Sequence, residues 1–325
     1  MRRPSSFEHK KYSEQVEIFK NRGMKFDDEN RAMKTLSIVP YYKIKELARP
    51  YCKVIYVNDE KQLDYQETRF ETILSRFYQD KNLRNSMFHA IEDIEMALKT
   101  QIAYVLGNIG AYEYLNFSAW CNREEYCKHF LKYKEEKLKR EIQEAMKRTD
   151  SSEIKEKLKI DNFKFPPIWL MVDLLTFGQM VNLLELMSKN RIRQIASMFS
   201  CTDDELISWL KCINLVRNIC AHNSSIIDIK FKTKPKIKDE WKTWLYEMKP
   251  GVYSNRVAVA VIVIKHMTLS INPRYKFGDI MGAFGKLIND DYSAKQYGFK
   301  SKDVLTLIYS AKPIVRRGRR QKRRV

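Results

Sequence analysis

The sequence predicts an all-α helical bundle. Gly and Pro number only 10 and 9 in 325 residues. Lys, Glu, Leu and Ile are abundant, and they favour helix. Apolar residues recur at helical spacing through two long stretches, 69–107 and 206–223.

Taken in order, residues 13–22 read as a helix starting at Ser13 and closed by Gly23. Asp27-Asp28 caps a second helix running to Leu36. Two short helices joined through a Gly turn resemble a helix-turn-helix unit. Arg22, Lys25, Arg31 and Lys34 surround it, although packing accounts for such a pair more simply than a DNA contact does. Residues 37–56 carry Pro40 and Pro50, so they form a connector with room for one short strand or helix. The tyrosines there suit core filling better than base stacking.

From Arg69 the helical pattern is strong. Phe70, Ile73, Leu74, Phe77 and Tyr78 share a face, and a break is expected near Asp80-Lys81-Asn82. Met87, Ile91, Ile94, Leu98, Ile102 and Val105 continue the stripe to Gly107. Residues 122–160 are densely charged over a thin stripe of Leu131, Leu138, Ile142 and Met146. They read as a helical pair broken at 149–152 and projecting from the core. Pro166-Pro167 starts a helix expected to run through Leu186, apolar nearly all round and therefore central or at an interface, with Asp173 inside it. After the 206–223 helix comes a basic loop, 232–238, containing Pro235. Residues 255–267 suit a strand by residue type, but the helical surroundings and the stop at Asn272-Pro273 make them a helix. A last short helix covers 302–310. The expected division is an N-terminal arm and connector (1–62), a helical core (63–310) holding the charged insertion at about 122–160, and a basic tail (311–325).

Formal net charge is +20, from 60 Lys and Arg against 40 Asp and Glu. That balance favours a polyanionic partner, nucleic acid before a membrane surface. Arg316, Arg317, Arg319, Arg320, Lys322, Arg323 and Arg324 make the tail suited to phosphate contacts. None of the six cysteines forms a CxxC pair and the five histidines do not cluster with them, which argues against structural zinc. Cysteines in apolar stripes suit a reducing compartment, here the cytoplasm. The N-terminus lacks the apolar core of a signal peptide, and Val257–Ile264 is too short to span a membrane. No P-loop, Rossmann, zincin or G-x-S-x-G pattern occurs.

The stretch with most chemistry is LISWLKCINLVRNICAHN, residues 206–223. Thr202 and Glu205 form a capping box at its start, and Asn223-Ser224-Ser225 a stop. Arg217 falls inside the apolar stripe, where an unpaired guanidinium is expensive. It needs a carboxylate, with Glu92, Glu95 and Asp173 as candidates, or an anion held in a cleft. His222 lies roughly 140° further round. The two converge on one small site if the helix ends near His222, or if two copies of the helix face each other.

Arg217-Asn218-Ile219-Cys220-Ala221-His222 resembles the Arg-polar-x-x-x-His motif of HEPN ribonucleases. Four segments, beginning YSEQVEIFKNRG, LRNSMFHAIEDIE, PPIWLMVDLL and WLKCINLVRNICAHN, are similar in order and spacing to the Abi family of bacterial abortive-infection proteins, AbiD/AbiF type. The resemblance covers roughly residues 12–310. It implies an all-helical HEPN-like bundle, a homodimer, and an RNA-cutting toxin of phage defence held in check in some members by a small structured RNA. One departure follows the His. Asn223-Ser224-Ser225-Ile226-Ile227-Asp228 stands where the family has a basic-aromatic stretch.

On that reading His222 is general base or acid near neutral pH. Arg217 stabilises charge on the phosphate under attack, and Asn218 orients the His or bonds the phosphate. The 2′-OH of RNA is its own nucleophile, so no metal or cofactor is required. The alternative is a non-catalytic RNA-binding protein in which Arg217 is structural.

Overall fold

Helices dominate the computed structural model, which describes residues 9–57, 59–160 and 164–310. Among those residues there are fifteen α-helices and two small two-stranded sheets, an all-α architecture as the sequence predicts. The tail positions Arg316 to Arg324 lie outside the described residues. The chain divides into two compact units, one running to Leu83 and including Ala283–Leu287, the other taking Arg84–Gly282 and continuing from Ile288.

In the first unit, α1 spans Tyr12–Asn21. It starts earlier than Ser13 because the Glu14 carboxylate accepts the Lys11 backbone N–H at 2.6 Å. Gly23, at φ 82°, turns the chain out of it. Asp28 caps α2 (Glu29–Leu36), accepting from the Arg31 N–H at 3.0 Å. Phe19 is fully buried against the rings of Tyr41, Tyr65 and Phe70. The connector holds α3 (Tyr41–Ala48) and then β1 (Lys53–Val57), which pairs antiparallel with β2 (Glu60–Asp64). The second strand is not legible because EKQLD carries only one apolar residue.

The helix α4 runs unbroken from Phe70 to Gly107, so the break expected near Asp80 does not occur. Arg76 and Asp80, one turn apart, are both buried. Opposite charges at that spacing support a helix, and an acid placed inside in this way no longer acts as a surface breaker.

The second unit begins within α4. After α5 (Phe117–Trp120) come α6 (Lys128–Arg148) and α7 (Ser152–Ile160), with the break where the sequence puts it. The pair does not simply project. Leu131, Leu138, Ile142 and Met146 of α6 are buried, Glu135 accepts the Phe117 N–H at 3.1 Å, and Glu141 accepts from Gln179 at 2.9 Å.

The expected helix 168–186 is two: α8 (Ile168–Met171) and α9 (Phe177–Leu186). Thr176 and Gln179 form a capping box that restarts the helix, and this local bonding overrides the continuous apolar pattern. Ile168, Met171 and Val172 of the first half are buried, and Trp169, 52% exposed, is the side chain that leaves the apolar face. Helix α10 (Lys189–Met198), which the sequence reading passed over, precedes α11 (Asp203–Ala221).

A small hairpin, β3 (Glu247–Lys249) and β4 (Val252–Tyr253), leads to α12 (Val257–Ile271). Residues Val257–Ile264 are all buried. A helix satisfies their backbone internally, whereas a lone buried strand would leave N–H and C=O groups unbonded. Asn272 ends α12 as expected. The chain closes with α13 (Gly278–Leu287), α14 (Asp291–Tyr297) and α15 (Val304–Ser310). Among the described residues no helix is long and apolar enough to cross a membrane. All six cysteines are free, and burial pushes the Cys212 thiol up to about 12, which leaves it inert at neutral pH.

Candidate active site

The helix α11 is built to be rigid at its start. Thr202 Oγ1 accepts the Glu205 N–H at 3.2 Å and Glu205 accepts the Thr202 N–H at 2.9 Å. Trp209 donates its indole N–H to the Lys236 carbonyl at 2.8 Å, and its ring lies 5.0 Å from those of both Trp241 and His266. The basic loop is tied down here. Lys236 pairs with Asp204 at 2.6 Å and Lys238 with Glu205 at 3.4 Å. Gly178 on α9 faces the Asn214 side chain of α11, where a Cβ would make ordinary contact at 3.4 Å.

The far end of α11 carries the motif. Arg217 is 34% exposed and Glu95 18%, and its Nε lies 4.0 Å from the Glu95 carboxylate. The guanidinium sits 5.9 Å from the Phe88 ring centroid. Its Nε is buried without a hydrogen-bond partner among the described residues. Glu95 is shared, because Lys99 lies 3.7 Å from it.

Among the described residues, neither of the other two candidate acids pairs with Arg217. Glu92 is exposed and lines a neighbouring cleft. Asp173 is not the buried acid expected; it is 61% exposed and stands 3.7 Å from Lys99. It lies in the 3-10 turn Val172–Leu174 that follows α8, and its side chain points out while Val172 beside it is buried.

The helix ends at Ala221 with His222 as its cap. The imidazole is exposed, and the His222 backbone N–H donates to the Asn218 carbonyl at 3.0 Å. The Asn218 side chain is exposed as well. Asn223 then takes a left-handed φ of 54°. Its side-chain oxygen accepts from the buried Arg84 at 2.9 Å. Ile226 and Ile227 are fully buried. The departure after His222 thus anchors the chain: Asn223 is clipped to α4, and the two isoleucines enter the core.

A cleft of about 310 Å³ opens at this end, lined by Arg84, Phe88, His89 and Glu92 of α4 and by Cys220 and Ala221 of α11. Arg84, Phe88 and Glu92 follow at four-residue spacing, with Glu95 continuing the face, so this stripe of α4 lies beside the motif helix. The sequence reading named the acids and missed Arg84, Phe88 and His89. Their signal was the same helical spacing, overlooked because the apolar stripe of Met87, Ile91 and Ile94 drew the reading to the neighbouring face. His89 in turn meets Tyr275, Nδ1 to hydroxyl 2.7 Å. Burial, then the charges of Asp93, Asp279 and Glu92, raise the Tyr275 phenol above its ordinary range, so it stays protonated.

Among the described residues no group of three or more His, Cys, Asp and Glu could hold a metal ion. No curated protein and no solved structure matches the chain. A family model described as Abi-like protein does match, over residues 34–228. The match contains the whole of α4, α9 and α11 and ends six positions after His222, well over half the chain. The chain belongs to the Abi-like protein family.

Proposed function

We propose that this protein is a metal-independent RNA endonuclease of the HEPN type, AbiD/AbiF-like, acting in abortive-infection defence. The observation that carries the reading is the end of α11. An exposed His222 caps the helix one turn and a half beyond a half-buried Arg217, beside a cleft. His222 takes a proton from the ribose 2′-OH or gives one to the departing 5′-oxygen. Arg217 stabilises the phosphorane-like charge that builds during in-line attack. The products are a 2′,3′-cyclic phosphate and a 5′-hydroxyl. One chain offers one motif histidine, so separate base and acid come from a homodimer in which two α11 ends meet. The +20 charge supplies the attraction for RNA, a cognate small structured RNA included.

The test is RNA cleavage in EDTA by the wild-type chain, lost in His222→Ala. Full activity of that variant would remove the assignment.

The contact between Arg217 and Glu95 favours a second reading, an RNA-binding protein whose Arg217 is structural. Arg217→Ala separates the two. A structural arginine predicts marked loss of stability, and a catalytic one a folded, inactive protein.

A further inference from the structure

The cleft at the end of α11 continues into a second one of about 450 Å³, with Asn85 and His89 common to both. Its other walls are Ser86 of α4 and the segment that enters α13: Tyr275, Lys276 and Asp279. The combined size is that of a small-ligand site. Its lining is neither a solvated charge run nor apolar core. The His89 and Tyr275 rings lie 5.7 Å apart and are fixed to each other by the 2.7 Å hydrogen bond, a rigid aromatic wall. The Phe277 ring backs Tyr275 at 4.8 Å. Opposite in chemistry, Asp279 in the first turn of α13 is an acceptor and Lys276, two residues before that helix, a donor, and both are exposed.

We propose that this second cleft is a guanine-binding subsite, holding the base of the nucleotide whose phosphate lies at the end of α11. Aromatic walls accept any base by stacking. The edge readers decide which base stays. Only guanine presents two adjacent donors, N1–H and N2–H, followed by an acceptor, O6, along its Watson–Crick edge. A carboxylate accepts both donors and an ammonium gives to O6. Adenine puts a ring-nitrogen acceptor against Asp279, and uracil and cytosine offer that carboxylate a single donor. Asn85, common to both clefts, can bond the ribose between them. The subsite deepens the nuclease reading and rests on it for the phosphate's position, but not for the base chemistry.

The test uses full-length protein and the four nucleoside 3′-monophosphates, with binding read by calorimetry. Guanosine 3′-monophosphate should bind roughly tenfold tighter than the other three, the discrimination expected of one bidentate edge contact. Asp279→Asn should reduce that preference to within about threefold, because the amide no longer accepts two donors. Lys276→Ala should weaken guanosine 3′-monophosphate selectively, and both side chains are exposed, so folding is retained. Equal affinity for all four in the wild type, or a preference unchanged in both variants, overturns the subsite. Guanine-selective binding with no RNA cleavage would leave the subsite standing and remove the nuclease reading. RNA cleavage without base preference would do the reverse.

Discussion

Lys265 gives the most quantitative test of the fold. It lies in the middle of α12, 5% exposed, and its ammonium has no hydrogen-bond partner among the described residues. Thr268, one turn on, is buried with its hydroxyl likewise unsatisfied. Burial pushes the Lys265 amine down to about 8. In the unfolded chain the same amine titrates near about 10.4. Between those two values the unfolded chain holds a proton that the folded chain does not, so stability rises with pH across that window. Below it both states are charged, and the folded state carries the full cost of an unpaired buried ammonium. Each pH unit of the difference corresponds to about 1.4 kcal/mol, so the cost at neutral pH reaches about 3 kcal/mol. Lys265→Met keeps the volume and the unbranched stem and removes the charge. Urea unfolding at pH 7 should show the variant about 1 to 3 kcal/mol more stable than wild type, with the gap closing by pH 10. A variant less stable at pH 7, or a gap that does not change with pH, would refute the reasoning.

Other outcomes follow from the same physics. Burial, with the charge of Lys238, pushes the His266 imidazole down to about 4, against about 6.5 unfolded. Acid therefore destabilises the fold between those values by about 1.4 kcal/mol per pH unit, and His266→Phe should flatten thermal unfolding against pH there. Glu95→Gln removes a carboxylate shared by Arg217 and Lys99 and should lose about 1 kcal/mol in urea titration; no loss would mean that solvent already screens the pair. Deleting residues 312–325 should reduce the salt slope of log K for RNA by about 2 to 3, at roughly 0.7 per single-strand phosphate with half the charges engaged. An unchanged slope would make the tail a solubility device.

Much of this was legible because helices announce themselves locally. Thr202 with Glu205 and Asp28 before Arg31 each mark a boundary by a bond to the adjacent backbone, and Pro273 after Asn272 marks one by having no N–H to continue the helix. Where the reading erred, long-range structure or a competing local bond decided. Asp80 looked like a breaker, but it is buried inside α4 one turn from Arg76, itself buried. The apolar run from Ile168 hid Thr176, whose capping box cuts it in two. At the candidate site Arg217 announced its need for an acid, and helical spacing offered Glu95 as one of three. Tyr275 could not be found that way. It lies far along the chain from His89, and only the packed structure brings the two side chains within 2.7 Å.

The most direct measurement is the end chemistry of RNA incubated with purified protein in EDTA, wild type beside His222→Ala and Arg217→Lys. The account predicts fragments with 2′,3′-cyclic phosphate and 5′-hydroxyl ends from the wild type. His222→Ala should yield none, and Arg217→Lys at least tenfold fewer while its unfolding midpoint stays near wild type, since a point charge replaces the planar fork without emptying the site. The same fragments at the same rate from His222→Ala would contradict it.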